Sequence, residues 1–327
     1  MDAQKELLTI AIPTYNRASL LDRQLAWFAK AVEGNEHRCE LFISDNSSTD
    51  DTPEVVAKWR PLLERQQVTL RIHRNAENIG AVRNIAHCLE EAHGYYSWVI
   101  GDDDVIDPNA IRFVLESIDT HPDLTLLILN FSSRHRITGR RNYDRCFEAG
   151  EDEITYDGQS LYERYLSLPR WGGLVLTTAL VYRTATVQAG MKSWPDGRAN
   201  GAFQLYFTAH CAQRGKVILT KDVHLEMAAG IHHFAEDRSM FFAYRVAEIP
   251  EAFVKLAELG YSRDICKMRI RDEIGYFRPR TTASMLAKQP LFAAGVLMRY
   301  LAAAWRVRST KRVGQLPEAT GYQQAKS

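Results

Sequence analysis

The run Tyr95-Tyr96-Ser97-Trp98-Val99-Ile100-Gly101-Asp102-Asp103-Asp104 constrains this chain more than any other stretch. Its first half is apolar and aromatic, with strand character, and it ends in three consecutive carboxylates. A strand of that composition needs burial, and adjacent Asp residues tolerate burial only beside something cationic. The run therefore reads as a buried strand that delivers carboxylates to the rim of a sheet, where a hard divalent cation can sit. An acidic turn ahead of a helix start at Asp107-Pro108 accounts for the same residues without a metal.

The flanking pattern sets the architecture. Residues 7–12 form a short apolar run closed by Pro13, a buried first strand. Ser19 is placed to cap the following helix, with Leu20, Leu21, Leu25 and Phe28 on its apolar face. Leu41-Phe42-Ile43-Ser44 is a second buried strand, running into the polar stretch 45–53, and residues 68–72 form a third. A turn at 75–78 and a helix over roughly 80–92 lead to the strand at 96–100. Strands alternating with helices in this way imply an α/β fold with a doubly wound, mostly parallel sheet flanked by helices. Ligands of such sheets bind beyond the strand carboxyl ends, where each of these polar clusters falls.

Further on, the pattern predicts a helix at 108–120, a strand at 124–130, and an irregular, Arg-rich stretch at 131–156. A helix at 158–168, a strand at 174–182, a helix at 199–214 and a strand at 217–219 follow, then three or four helices from about 238. With no internal repeat or low-complexity linker, one body is expected over 1–237, with a nucleotide-binding half (1–110) and an acceptor half (111–237). Residues 238–327 form a helical C-terminal extension.

Charge is unevenly distributed. Residues 262–327 hold 13 Lys and Arg against 4 Asp and Glu, while the remainder holds 28 against 36. An acidic body with a basic tail suggests a polyanionic surface as neighbour. The apolar segment 291–305 is too short and too interrupted, by Arg299, to span a bilayer. With Trp305, Arg306, Arg308, Lys311 and Arg312 beside it, it suits a membrane interface, or else a helix packed on the body with solvated basic ends. Five widely spaced cysteines without a CxxC pair argue against a disulfide framework or a thiolate zinc site. The charged start Met1-Asp2-Ala3-Gln4-Lys5-Glu6 carries no secretory signal, so a cytoplasmic location, peripheral on the inner face of the membrane, is expected. No nucleic-acid partner is expected.

Four segments converge on the sheet edge: Pro13-Thr14-Tyr15-Asn16-Arg17, Asp45-Asn46-Ser47-Ser48-Thr49-Asp50, Asn78-Ile79-Gly80-Ala81-Val82-Arg83-Asn84 and Asp102-Asp103-Asp104. In order, spacing and wording they resemble glycosyltransferase family 2, enzymes of GT-A fold that use nucleotide-activated sugars. The resemblance covers residues 7–110 strongly and 171–240 loosely. It implies a UDP-, dTDP- or GDP-linked sugar donor and a saccharide or lipid-linked acceptor, in cell-surface polysaccharide synthesis. Pro13, Thr14, Tyr15 and Arg17 would wrap the nucleotide, Tyr15 or Arg17 lying near its phosphates. Asp45 would accept a hydrogen bond from the base, against the alternative that it caps or forms the turn around Asn46-Ser47-Ser48. Asn78 and Arg83 would border the nucleotide. Asp102 and Asp104 match the outer positions of the family's DXD motif, Asp102 approaching the ribose and both counted as metal-site residues for Mg²⁺ or Mn²⁺. Oxygen ligands select such a hard cation over zinc. Asp103, pointing to the other side of an extended strand end, would brace the loop beside the cofactor. In Gly230-Ile231-His232-His233-Phe234, His232 is the candidate to complete the metal shell, against the alternative that both histidines are ordinary.

One departure bears on mechanism. Inverting members of the family carry a Glu-Asp pair at the start of the helix that here reads Arg198-Ala199-Asn200-Gly201-Ala202-Phe203-Gln204. A base must reach the acceptor hydroxyl, and Asp196, in a Pro-Asp-Gly turn, is the nearest carboxylate. Its absence from catalysis would leave the stereochemistry open or the enzyme impaired. Competing readings are a catalytically impaired nucleotide-sugar-binding protein and a nucleotidyltransferase; the latter would want a Gly-rich loop after strand one, which residues 11–16 lack. Trp171-Gly172-Gly173 is either an acceptor wall or core.

Overall fold

Leu8–Thr14 (β1) is buried because it has a neighbour on each side, Cys39–Asp45 (β2) and Tyr96–Val99 (β4), both parallel to it. Thr69–Arg74 (β3) adds a fourth parallel strand outside β2 and is correspondingly more exposed. The crossovers are the helices Ala18–Ala31 (α1), Thr52–Arg65 (α2) and Ala81–Glu90 (α3). Parallel strands joined in this way bring all their carboxyl ends to one edge. The four polar segments singled out above therefore share a rim. The computed structural model describes residues 6–230, 238–275 and 279–309.

The sheet then changes character. Leu180–Arg183 (β9) enters antiparallel between β4 and Leu124–His135 (β6). Lys216–Ala229 (β10) runs parallel to β6, and Val105–Ile106 (β5) closes the far edge. Two short strands, Arg141–Tyr143 (β7) and Glu153–Thr155 (β8), pair antiparallel with β6 and β10 within a stretch expected to be irregular. The sheet is α/β and mixed: a parallel first half, β1 to β4, joined to a second half through β9. Ala110–Thr120 (α4), Gly158–Leu166 (α5), Thr184–Ser193 (α6) and Phe203–Ala212 (α7) cover the second half.

Three local expectations change. Residues 174–179 are not strand but 3₁₀ turns, Trp171–Val175 and Thr177–Ala179. They are apolar because they are buried, and the turns let the Trp98 indole donate to the Thr178 carbonyl at 2.8 Å. β10 extends far beyond 217–219; its polar middle disguises it, since register shifts around Val223 mark a bulge there. The α1 N-terminus is capped not by Ser19 but from afar, the Ala18 N–H donating to the Asp50 carboxylate at 2.9 Å. That bond ties the β1 loop to the β2 loop.

The C-terminal helices, Arg238–Ala243, Ile249–Glu258, Arg263–Gly275, Pro279–Lys288 and Pro290–Ser309, include a π-helical turn at Tyr244–Glu248. Ile249, Phe253, Ile270 and Val307 join the same apolar core as β1 and β4. All five cysteines are free and buried. Among the described residues, no helix is long and apolar enough to cross a membrane.

His210 sits in that core on α7, its ring so close to α6 that a Cβ on Gly190 would lie 3.1 Å from it. Burial, with the Arg214 charge adding to it, holds the imidazole pKa down at about 4. Below the usual imidazole range the unfolded chain takes up a proton that the fold refuses, so stability falls as pH drops from about 6.5 toward 4. His210→Leu should remove on the order of 1–2 kcal/mol of the difference between urea-unfolding free energies at pH 7.5 and pH 5. An unchanged difference would assign that acid sensitivity elsewhere.

Candidate active site

Past β4 the chain is held at two points before it bends: the Ile100 N–H donates to the Ala11 carbonyl and the Gly101 N–H to the Thr178 hydroxyl, both at 2.9 Å. The bend presents the three carboxylates differently. Asp102 turns inward and is buried, accepting from the Thr14 hydroxyl at 3.1 Å and the Arg17 guanidinium at 2.8 Å. Asp103 shares that guanidinium at 3.2 Å, and its carbonyl accepts from Arg23 at 3.1 Å and Arg136 at 3.0 Å. Asp104 is buried against the second half of the sheet, accepting from the Thr178 hydroxyl and from the Ala228 N–H at 3.2 Å.

These surroundings set the charges. Burial, reinforced by the neighbouring Asp103 charge, pushes the Asp104 carboxyl up to about 6. Burial also raises Asp102, against the opposing charge and hydrogen bond of Arg17. Burial works against the Arg17 charge, but Asp102 and Asp103 more than offset it and the guanidinium pKa is raised. Gly101 keeps a small oxygen-lined space open. A Cβ there would lie 3.1 Å from both Asp103 Oδ1 and Asp104 Oδ2 and 3.4 Å from Thr178 Oγ1. Oxygen donors gathered in this way suit a hard divalent cation whose remaining positions are filled by ligand and water.

The bend opens on a cavity of about 880 Å³, at the upper end for small-molecule sites. Pro13, Ala81, Val82, Asp103 and Asp104 line it from the parallel half. Arg170, Trp171, Thr177 and Gln204 line it from the second half, and Arg238, Tyr244, Arg245 and Ile249 from the C-terminal helices.

A second network braces the loops after β2 and β3. Asp45 accepts from the Ser48 N–H at 2.8 Å and from Arg74 at 2.9 Å, which shapes the turn after β2. Asn78 accepts from the Asn46 side chain at 2.7 Å and the Gly80 N–H at 2.9 Å, setting the turn whose Gly80 has φ +85°.

The expected residues thus fall into groups. Pro13, Asp103 and Asp104 reach the cavity, while Thr14, Arg17 and Asp102 form the layer that holds the bend. Tyr15 is half-buried on the same loop. The alternation expected of an extended strand end fails, because β4 stops at Val99 and the chain bends; Asp103 lines the cavity and Asp102 does not. Arg83 is exposed on α3 and Asp196 is exposed on the 3₁₀ turn Pro195–Ala199; neither lines the cavity. His232 lies outside the described residues. No cluster of three or more His, Cys, Asp or Glu side chains suited to a metal occurs among the described residues, so the protein's acidic donors here are Asp103 and Asp104. Trp171 lines the cavity but is largely core, packed edge-on to Phe253.

Sequence reasoning missed Thr178, Arg245 and Glu248. Glu248 accepts from the Gly201 N–H at 2.7 Å, just ahead of α7, and is the carboxylate found where the local sequence has none. Burial raises its pKa, the Gly201 hydrogen bond opposing. No local pattern signals it, because it arrives from a helix 47 positions away.

The glycosyl transferase family 2 model matches residues 9–169. Abequosyltransferase RfbV of Salmonella typhimurium is 32% identical over 120 residues, covering 37% of this chain and 35% of the relative. The poly(ribitol-phosphate) beta-N-acetylglucosaminyltransferase TarS of Staphylococcus aureus is 24% identical over 199 residues, 61% of this chain and 31% of TarS. The chain thus spans about a third of the length of these curated relatives. Among solved structures, a TarS fragment in complex with UDP-GlcNAc superposes with a TM-score of 0.52 at 18% identity, covering 93% of this chain and 92% of that one. A mannosyltransferase from Pyrobaculum calidifontis in complex with GDP-Man and Mn²⁺ gives 0.51 at 14% identity, over 93% and 88%. At those identities the likeness is one of fold.

If Arg17 neutralises the bend, Arg17→Met should cost about 2 kcal/mol in urea unfolding at pH 7.5. Most of that should return at pH 4.5, because Asp102, its pKa already raised and now without its cation, protonates in the fold. A loss equal at both pH values would mean that Arg17 contributes packing rather than charge.

Proposed function

Because residues 9–169 match the glycosyltransferase family 2 model, we propose that this chain is a divalent-metal-dependent transferase of that family. It would move a sugar from a nucleoside-diphosphate sugar to a glycan or lipid-linked acceptor in cell-surface polysaccharide synthesis. The observation that carries this reading is the oxygen-lined space over Gly101, where Asp103, Asp104 and Thr178 converge at the mouth of the cavity. Relatives that transfer abequose and N-acetylglucosamine, and a neighbour solved with GDP-Man and Mn²⁺, support the same class.

In this reading Asp104 and Asp103 would hold the cation, Mg²⁺ or Mn²⁺, which would supply positive charge against the departing diphosphate. Thr178 orients the Asp104 carboxylate, and Arg17 keeps the bend in place from behind. Pro13 and the α3 residues Ala81 and Val82 form the wall for the nucleotide. Acceptor deprotonation is not assigned to Asp196, which is exposed and away from the cavity lining.

The C-terminal helix supports a further element, contact with a membrane surface. Ala293, Val296, Ala303 and Val307 of Pro290–Ser309 are buried, whereas Leu291 (90% exposed), Met298 (65%), Leu301 (64%) and Trp305 (69%) are not. Leu291, Met298 and Trp305 recur every seven positions, one side of a helix. An apolar stripe ending beside Arg306 and Arg308 fits an anionic bilayer interface.

Incubation with UDP-, dTDP- and GDP-sugars and Mn²⁺ should release nucleoside diphosphate from one donor class, increase with a cell-envelope acceptor fraction, and stop with chelator. Asp104→Ala should abolish metal-dependent nucleotide binding in calorimetry. Nucleotide binding without turnover would favour the impaired-binder reading instead. Full-length protein should cosediment with phosphatidylglycerol vesicles and not with phosphatidylcholine ones, and Met298→Glu with Trp305→Glu should release it. Indifference to both lipids would remove the membrane element and leave the transferase reading standing.

A further inference from the structure

Gln204 is a neutral side chain held in the cavity wall with half of its amide unused. It lies in the first turn of α7, is only 7% exposed, and lines the cavity. One pole of the amide is taken, Nε2 donating to the Thr177 hydroxyl at 2.8 Å. Among the described residues no hydrogen bond reaches the other pole. That oxygen is also not one of the side-chain atoms sealed away without a partner, so it stays accessible where Gln204 meets the cavity. Buried polar groups are almost always bonded, and an amide pole left open on a cavity is available to a ligand. A threonine hydroxyl both donates and accepts, as a sugar hydroxyl does, so the pairing holds whichever way round the amide sits.

The bond that fixes this amide also places it. Thr177 is followed directly by Thr178, whose hydroxyl donates to Asp104 and accepts from the Gly101 N–H at 2.9 Å. Both threonines, Gln204 and Asp104 line the cavity. Neighbouring Cα atoms are about 3.8 Å apart, so two consecutive residues tie Gln204 to the carboxylate bend and set it at that end of the cavity. The start of α7 is anchored from its other side. The Gly201 N–H donates to Glu248 at 2.7 Å, and the Ala202 N–H to the Asn200 side chain at 2.8 Å. The Asn200 amide in turn donates to the Glu248 carbonyl at 3.1 Å. Leu176 and Phe203, the chain neighbours of Thr177 and Gln204, line the cavity as apolar wall. A hydroxyl pressed against such a wall without a partner costs about 1–3 kcal/mol, and Gln204 supplies the partner.

We propose that Gln204 is a specificity-determining residue, the free pole of its amide hydrogen-bonding a hydroxyl of the donor sugar. The assignment rests on the transferase reading above and deepens it. In that reading the diphosphate lies at the Asp103–Asp104 bend, and the sugar attached to it is the part of the donor that comes within reach of Gln204. A site built to bond a hydroxyl rejects an analogue that lacks it far more strongly than an apolar wall can. Being neutral, the amide does this without adding to the negative charge of Asp103 and Asp104 beside the diphosphate.

Full-length protein with Mn²⁺ is titrated by calorimetry with UDP-glucose, UDP-GlcNAc, dTDP-glucose and GDP-mannose, and with UDP, dTDP and GDP alone. Gln204→Met keeps the length of the side chain and removes the amide. For whichever pair binds, it should weaken the nucleotide sugar about five-fold or more and the nucleoside diphosphate less than about two-fold. Retained diphosphate affinity reports that the variant is folded. If Gln204→Met does not fold, Gln204→Asn, which keeps an amide but withdraws it, is held to the same comparison. Thr177→Val breaks the anchoring bond and leaves the amide in place, so it should cost the nucleotide sugar less than Gln204→Met does. Equal losses in those two variants, or a loss shared by nucleotide sugar and diphosphate, would make Gln204 part of the wall alone and overturn the assignment. So would a nucleotide-sugar affinity that Gln204→Met leaves unchanged, or a wild type that binds a diphosphate and none of the four nucleotide sugars. Failure of the wild type to bind any nucleotide overturns the transferase reading and this assignment with it.

Discussion

The structure depends on keeping three consecutive carboxylates at the end of a buried strand. Left alone, Asp102, Asp103 and Asp104 would repel one another in a poorly solvated place, and the strand could not end there. Arg17 answers the first two directly, while Arg23 and Arg136 hold the Asp103 carbonyl. Among the described residues, no guanidinium pairs with Asp104. Its pKa, pushed up to about 6 by burial, marks it as the one carboxylate of the three whose charge the protein itself leaves least compensated. That imbalance is the physical basis for placing a cation beside it.

The same bend joins the two halves of the molecule. Arg17 and Thr14 reach it from β1 and its loop, in the parallel half; Thr178 and Ala228 reach it from the second half. The Trp98 indole repeats the connection one layer down, donating to the Thr178 carbonyl. A shift of either half against the other would therefore change the geometry at Asp104 first. The loops above are tied in turn, Asp50 to the start of α1 and Asn46 to Asn78, so the rim is braced along its length rather than at one residue.

Much of this was legible in the sequence because it is local. The apolar runs before Pro13, Asp45 and Asp102 each end in polar residues, and that repeated boundary defines the rim without any structure. The four motifs then carry the resemblance to glycosyltransferase family 2, whose model matches residues 9–169. What could not be read has its cause at a distance. Thr178 matters because it meets Asp104 across 74 positions, and Gln204 because it meets Thr177 across 27. The 3₁₀ turns within 174–179 read as strand because burial gives turns and strands the same apolar composition. β10 was cut short because a bulge inserts polar residues into it, and the Asp103 alternation failed because a bend has no two-residue period. Asp196 drew notice only as the acid nearest in sequence to α7. In space, Glu248 lies beside the start of that helix instead.

The central claim is that the Asp103–Asp104 bend is where a divalent cation meets the nucleotide diphosphate. A crystal grown with Mn²⁺ and nucleoside diphosphate, measured at the manganese edge, tests it most directly. The account predicts an anomalous peak within about 2–2.5 Å of an Asp104 carboxylate oxygen and of a diphosphate oxygen. A nucleotide bound in the cavity with the manganese peak elsewhere, or with none at all, would contradict it.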